Sequence, residues 1–199
     1  TSRRQRQMCI RDRYYTFSTF TLFFIWLGAT LFKADIPFLY TADCRYIVAA
    51  GLVTLSVMYH IIVRPGAIRT HRLNDISYEH FSFYNYIFHY FIPVLMTADY
   101  LFFVDKTELH WHIMISWMIY PALYVVFVYW RAWVTIVTHG TSHLYPYTFM
   151  DPRMNDVFSI TKGCLKVGFQ FFLIGICVYA AGKGLYLLDI PPAAWTYNG

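Results

Sequence analysis

Charge is what this sequence has least of. Only 14% of its 199 residues are Asp, Glu, Lys or Arg, against 58% hydrophobic and 21% aromatic, whereas soluble domains carry about a quarter charged residues. Mean hydropathy is +0.41. A water-soluble enzyme is excluded on composition alone. The net charge of +5 does not indicate a nucleic-acid partner, because Arg3, Arg4, Arg6, Arg11 and Arg13 supply the excess against Asp12 alone, and bases and acids nearly balance from residue 14 onward.

Cysteine chemistry is also missing. Cys9, Cys44, Cys164 and Cys177 show no CxxC spacing and no Cys/His cluster, so neither a zinc site nor a disulfide framework is expected, and the thiols read as buried or reduced. No flavin or nicotinamide motif, repeat, low-complexity tract or soluble domain is present, and no small-x-small cleavage site follows the first apolar run. No cofactor and no metal is expected.

What the chain has instead is long apolar runs. A bilayer core of about 30 Å needs about 20 residues of helix, and five runs qualify, near Tyr15 to Phe32, Tyr46 to Val63, Asn85 to Val104, Ile113 to Val137 and Leu165 to Leu188. Rings crowd their ends (Tyr14, Tyr46, Tyr84, Trp111, Trp130, Tyr186), as they do at headgroup depth. The runs lack the alternation of a barrel, and lipid offers backbone groups no other partner. The expected fold is an all-α, polytopic transmembrane helix bundle with five visible spans over residues 14 to 190, preceded by a basic segment at 1 to 13 and followed by a tail at 191 to 199.

Arg64, Arg69 and Arg72 in one connection, and Arg153 and Lys162 flanked by Arg131 and Lys166 in another, outnumber Lys33, Arg45, Lys106 and Lys183 on the opposite side. The positive-inside rule then places the amino end and these two loops in the cytoplasm. The string "MCIRDR" (Met8 to Arg13) resembles the translation of a sequencing adaptor. Its presence predicts that a natural start and a further helix precede Tyr14.

The third run is unusual in holding Asn85, His89 and Asp99. At about 100° per residue, Asn85, His89, Ile92, Met96 and Asp99 fall within about 80° of one another, giving one polar face. Ionisable groups at membrane depth cost about 2.5 to 3.5 kcal/mol or more, so they face a bundle interior or wet cavity and mark function, unless the histidine merely braces two helices. Asp99 lies about 15 Å along the helix from His89, too far for direct contact. Its expected role is supporting, by capping or pairing near the far end.

The strings "YYTFSTFTL" (14 to 22), "FHYFIPVLMTADYLFF" (88 to 103), "YPALYVVFVYWR" (120 to 131) and "YPYTFMDP" (145 to 152) resemble, in order and spacing, the androgen-induced-gene-one and androgen-dependent TFPI-regulating proteins and their bacterial relatives, the Pr-six-Pr membrane proteins. The resemblance implies a six-span fold, one helix more than is visible, in a bacterial cytoplasmic membrane. It also implies a hydrolase that cleaves fatty acid esters of hydroxy fatty acids with an intramembrane threonine and a histidine, roles that fall on Thr16 and His89. Membrane lipid and a lipid ester would be its partners.

A threonine hydroxyl needs a base, and imidazole suits this near neutral pH. Asn85 could orient the ring or donate to an oxyanion. Ser18 and Thr19 are alternative nucleophiles, and Thr16 has the competing reading of a helix-start residue. The "YPYTFMDP" loop reads either as a cover for the site mouth or as a rigid connection. His110, His112, His139 and His143 read as solvated loop histidines. Two rival functions remain: a haem-binding redox protein with His60 and His89 as axial ligands, both near one membrane face, and a lipid-binding or transport protein that cleaves no bond.

Overall fold

The computed structural model describes residues 13–64, 83–139, 145 and 147–188, and among them every regular element is helical. The basic amino-terminal segment, Arg69, Arg72, His143 and the 191 to 199 tail lie outside the described residues.

Helix α1 (Arg13–Leu31) ends where Lys33 takes a φ of 51°. The Ala34 N–H then reaches back to the Ala29 carbonyl at 2.8 Å and the Lys33 N–H to that of Thr30 at 3.2 Å. This closure normally uses glycine, because a side chain is strained in the left-handed region. A 3-10 turn, Pro37–Tyr40, leads to α2 (Ala42–Met58). Thr41 caps α2, its hydroxyl accepting the Cys44 N–H at 3.2 Å.

At its far end α2 widens into a π-helical turn, Tyr59–Val63, in which the Arg64 N–H bonds the Tyr59 carbonyl five residues back. The next described helix repeats the device. A single turn, α3 (Phe83–Tyr86), passes into a π turn, Ile87–Phe91, and then into α4 (Ile92–Phe103). Here the cause is local: Pro93 has no N–H to return to the preceding turn and its ring crowds that turn. The ladder therefore closes from Ile92 to the Ile87 carbonyl instead, a known accommodation of proline in membrane helices.

A one-turn helix α5 (Ile113–Ser116) precedes α6 (Ile119–His139). The fourth apolar run is thus interrupted, with Pro121 in the first turn of the restarted helix, where its missing N–H costs nothing. A 3-10 turn, Thr148–Met150, leads to α7 (Val157–Leu187). This last helix begins eight residues before the expected Leu165, because Asp156 caps it, accepting the Ser159 N–H at 3.2 Å. The polar residues Ser159, Thr161 and Lys162 keep that first part out of an apolar run.

Among the described residues, three segments are long and apolar enough to cross a membrane, Ala42–Ile61, Ile113–Val134 and Val157–Leu187, and Tyr15–Leu31 and Ile87–Phe103 are shorter apolar helices. Large apolar side chains such as Phe17, Ile25, Leu123, Val126 and Trp133 point outward, an arrangement suited to acyl chains and not to water. The chain is an all-α membrane protein.

Two compact units divide the chain, one comprising Thr1–Ser18 with Ile115–Leu173, the other Thr19–Met114 with Ile174–Gly199. The first is organised by aromatic rings: Tyr15 lies against Tyr124 at 5.1 Å, Phe171 at 5.4 Å and Tyr120 at 5.7 Å. The "YPYTFMDP" loop is knitted to α6 through the Tyr129 hydroxyl, which donates to the Met150 carbonyl at 2.9 Å. Asp151 is buried and takes a two-pronged bond from Arg153 at 2.9 and 2.6 Å. Pro146 lies outside the described residues.

In the second unit α2 packs on α4, with Tyr46 against Tyr100, and Tyr46, Ala49, Ala50 and Leu52 of α2 are fully buried. Tyr46 donates to the Gly175 carbonyl at 3.0 Å, and its ring lies 6.0 Å from those of both Tyr100 and Tyr179. The Tyr100 ring is seated directly on Gly182, with no space for a β-carbon there.

Gly182→Ala is therefore expected to lower stability by about 1 to 3 kcal/mol, the cost of overpacking. Gly184→Ala, with nothing within 4 Å of the added carbon, should not lower it; thermal unfolding in one detergent compares the two. The cap of α7 has a pH signature. Its hydrogen bonds to Ser159 hold the Asp156 carboxyl below its ordinary value, so its stabilisation is full above the unfolded carboxylate's pKa and is lost as pH falls through the folded one. Asp156→Ala should accordingly lower the unfolding midpoint at pH 7 and converge on wild type in acid.

Candidate functional site

The two π turns meet in the second unit. The Tyr59 and His89 rings stack with centroids 4.0 Å apart and planes tilted by 30°. Both side chains are buried, at 6% and 9% exposure. Beside them, the exposed His60 shares a 3.0 Å hydrogen bond between Nδ1 and the Tyr90 hydroxyl. The pairing is reciprocal: Tyr-His on α2 faces His-Tyr on the following π turn. The Tyr90 ring stands edge-on to Tyr59 at 6.1 Å and lies 5.8 Å from Tyr86.

Each turn contributes through its extra residue. A π turn inserts one residue into the helical ladder and rotates the rest of the helix beyond it, and such turns concentrate at functional sites because they are costly to maintain. Of the expected inward stripe of Asn85, His89, Ile92, Met96 and Asp99, His89 and Met96 are buried, and beyond the turn Pro93 and Tyr100 are buried in place of Ile92 and Asp99.

Asp99 falls at its edge, about one-third exposed, and is bound by Arg45 of α2 through one guanidinium nitrogen at 3.1 and 2.8 Å. Its side chain pairs at the far end of the helix, as one of the two sequence readings had it. Asn85 lies in α3, and its side chain is outside the described residues.

A second polar cluster surrounds that far end. The Asp43 carboxylate accepts the His110 backbone N–H at 3.0 Å and faces its Nδ1 at 2.9 Å. His110 is thus anchored as well as solvated, and its ring stacks on His112 at 5.1 Å. Lys106 turns inward and donates to the carbonyls of Leu101 and Val104, both at 2.8 Å, closing the α4 C-terminus where a cation is favoured. Burial pulls its ammonium below the usual lysine value. Among the described residues no group of three metal-ligating side chains occurs.

Thr16 is half-buried near the start of α1 and belongs to the first unit, whereas His89 belongs to the second. Of the alternative nucleophiles, Ser18 is engaged, donating to the Tyr15 carbonyl at 3.0 Å and pairing with the Tyr120 hydroxyl at 2.9 Å. Thr19 is buried in the unit that contains His89. The next residue, Phe20, meets Phe88 edge-on at 4.8 Å, directly before His89 in the chain.

Sequence reasoning missed Tyr59, Tyr90 and Arg45. The reversed dipeptides Tyr59-His60 and His89-Tyr90 were the available signal, since neighbouring helices with matched ends bring such pairs together.

The Arg45–Asp99 pair generates a direct test. Arg45→Leu leaves a carboxylate without its partner in an apolar setting and should cost about 1 to 3 kcal/mol. The double variant Arg45→Leu with Asp99→Leu should recover most of the loss, as read from unfolding midpoints in the same detergent.

No family model matches the chain, and neither a curated protein nor a solved structure matches it.

Proposed function

We propose that the chain is a lipid-ester hydrolase of the bacterial cytoplasmic membrane, with His89 as general base and Thr16 as nucleophile. The observation that carries this reading is the buried imidazole of His89 in a π turn, stacked on Tyr59 at 4.0 Å. A titratable ring held at membrane depth by a distorted turn is costly and is retained where it does chemistry. The assignment of Thr16, and of fatty acid esters of hydroxy fatty acids as the substrate class, rests on the family resemblance.

In this reaction the threonine oxygen attacks the acyl carbonyl while imidazole takes the hydroxyl proton. Collapse of the tetrahedral intermediate breaks the ester C–O bond, and the imidazolium returns its proton to the departing alkoxide. Water then attacks the acyl-threonine with imidazole again as base, releasing the fatty acid and restoring the hydroxyl. Asn85 is the candidate donor to the oxyanion.

A second reading of the nucleophile has its own support: Thr19 is buried within the same unit as His89. Labelling with a serine/threonine-directed fluorophosphonate, together with lipid-ester cleavage, separates the two. His89→Ala should lower cleavage by about 10² to 10⁴, the usual contribution of a positioned base, and Thr16→Ala should abolish both label and cleavage while Thr19→Val retains them. Loss in Thr19→Val alone would move the nucleophile to Thr19. Full activity in all three variants, each still inserted and folded, would overturn the assignment of these residues, and wild type that cleaves no ester would leave lipid binding without bond cleavage.

A further inference from the structure

The π turns carry more than one histidine, and their pairing has a division of labour. Tyr59 and His89 form the inner, buried pair; His60 and Tyr90 form the outer one, joined by a hydrogen bond and reaching the exposed surface. Imidazole in an apolar helix interior is free to rotate about its side-chain bonds unless something fixes its plane, and a base acts only when its nitrogen is aligned with the proton it takes.

We infer that Tyr59 is a positioning residue for His89, and that the His60–Tyr90 hydrogen bond keeps the two π turns in the register that Tyr59 requires. The inner stack supplies the first constraint. Rings with centroids 4.0 Å apart and planes 30° from parallel are in contact over their faces, so Tyr59 limits rotation of the imidazole plane and covers one face of it against solvent. Aromatic contacts of this kind favour one rotamer several-fold beyond what burial alone gives.

Register is the second constraint. Each π turn adds a residue to its helix, so a shift of either turn by one position would carry Tyr59 away from His89. The outer hydrogen bond joins the residues immediately after Tyr59 and His89, one on each turn. The Tyr90 ring is also held edge-on by Tyr59 at 6.1 Å and by His60 at 6.2 Å. Among the described residues, the titratable and charged groups of these turns are Tyr59, His60 and Arg64 on the α2 side and Tyr86, His89 and Tyr90 on the other; α1 contributes the apolar Phe20 against Phe88.

This inference rests on the hydrolase reading only for its kinetic consequence, so the experiment has two arms. In the first, hydrogen–deuterium exchange at the imidazole C2 position of His89 is followed by mass spectrometry in purified full-length protein, with His60 as an internal exposed reference. Tyr59→Leu should speed exchange at His89 while leaving His60 unchanged, Tyr59→Phe should restore the wild-type rate, and Tyr90→Phe, which removes only a hydroxyl, should give an intermediate rate.

In the second arm, Tyr59→Leu should lower kcat for lipid-ester cleavage by about tenfold to a hundredfold, the effect of a small misplacement, with KM unchanged and Tyr59→Phe fully active. Unaltered His89 exchange in both Tyr59→Leu and Tyr90→Phe would overturn the inference. Absence of cleavage in wild type, with the exchange pattern intact, would instead overturn the hydrolase and keep the positioning role.

Discussion

Lipid offers no hydrogen-bond partner, so every polar side chain at membrane depth must find one within the protein. The α2–α4 pair in the second unit is built around that constraint. At one end Arg45 meets Asp99; at the other, two histidines meet two tyrosines across widened turns. Between them on α2 the small residues Ala49 and Ala50 are fully buried. The polar contacts fix both ends of an interface whose middle is apolar, and apolar packing between lipid-embedded helices specifies register poorly by itself.

The two ends differ in kind. Arg45 and Asp99 satisfy each other's charge, and their geometry explains itself without further purpose. The histidine end does not reduce to satisfaction in the same way. Proline accounts for the widened turn before Pro93, but a buried imidazole whose face is covered by a tyrosine is an expensive way to brace two helices that alanine and leucine already hold together. That imbalance between cost and structural need is the physical basis for reading His89 as functional.

Much of the fold was legible because hydropathy and span length are direct physical requirements of a bilayer. Five apolar runs became helical, and their positions followed closely. The misreadings have identifiable causes. Asp156 starts α7 earlier than the apolar run does, since a helix begins at its cap and not at its first lipid-facing residue. The fourth run stands as one span, Ile113–Val134, with the helix restarting at Ile119 just before Pro121. The buried face of the third run is His89, Pro93, Met96 and Tyr100, which leaves Asp99 at its edge; Asp99 was read as part of the stripe because its angle differs from theirs by less than one residue's turn. The site was legible in part: His89 was singled out from its cost in lipid, and His60 from its depth. Tyr59 and Tyr90 were not, because aromatic residues are so abundant in this chain that two more among the helix ends carried no contrast.

His89 is enclosed by Tyr59, while His60 on the opposing turn is open. Maleimide labelling of detergent-solubilised protein measures this directly, using a background in which Cys9, Cys44, Cys164 and Cys177 are replaced by serine or alanine and either His60→Cys or His89→Cys is introduced. Rapid labelling is expected at position 60, and labelling at position 89 only after unfolding. Equal rates at the two positions in the folded protein would contradict the claim.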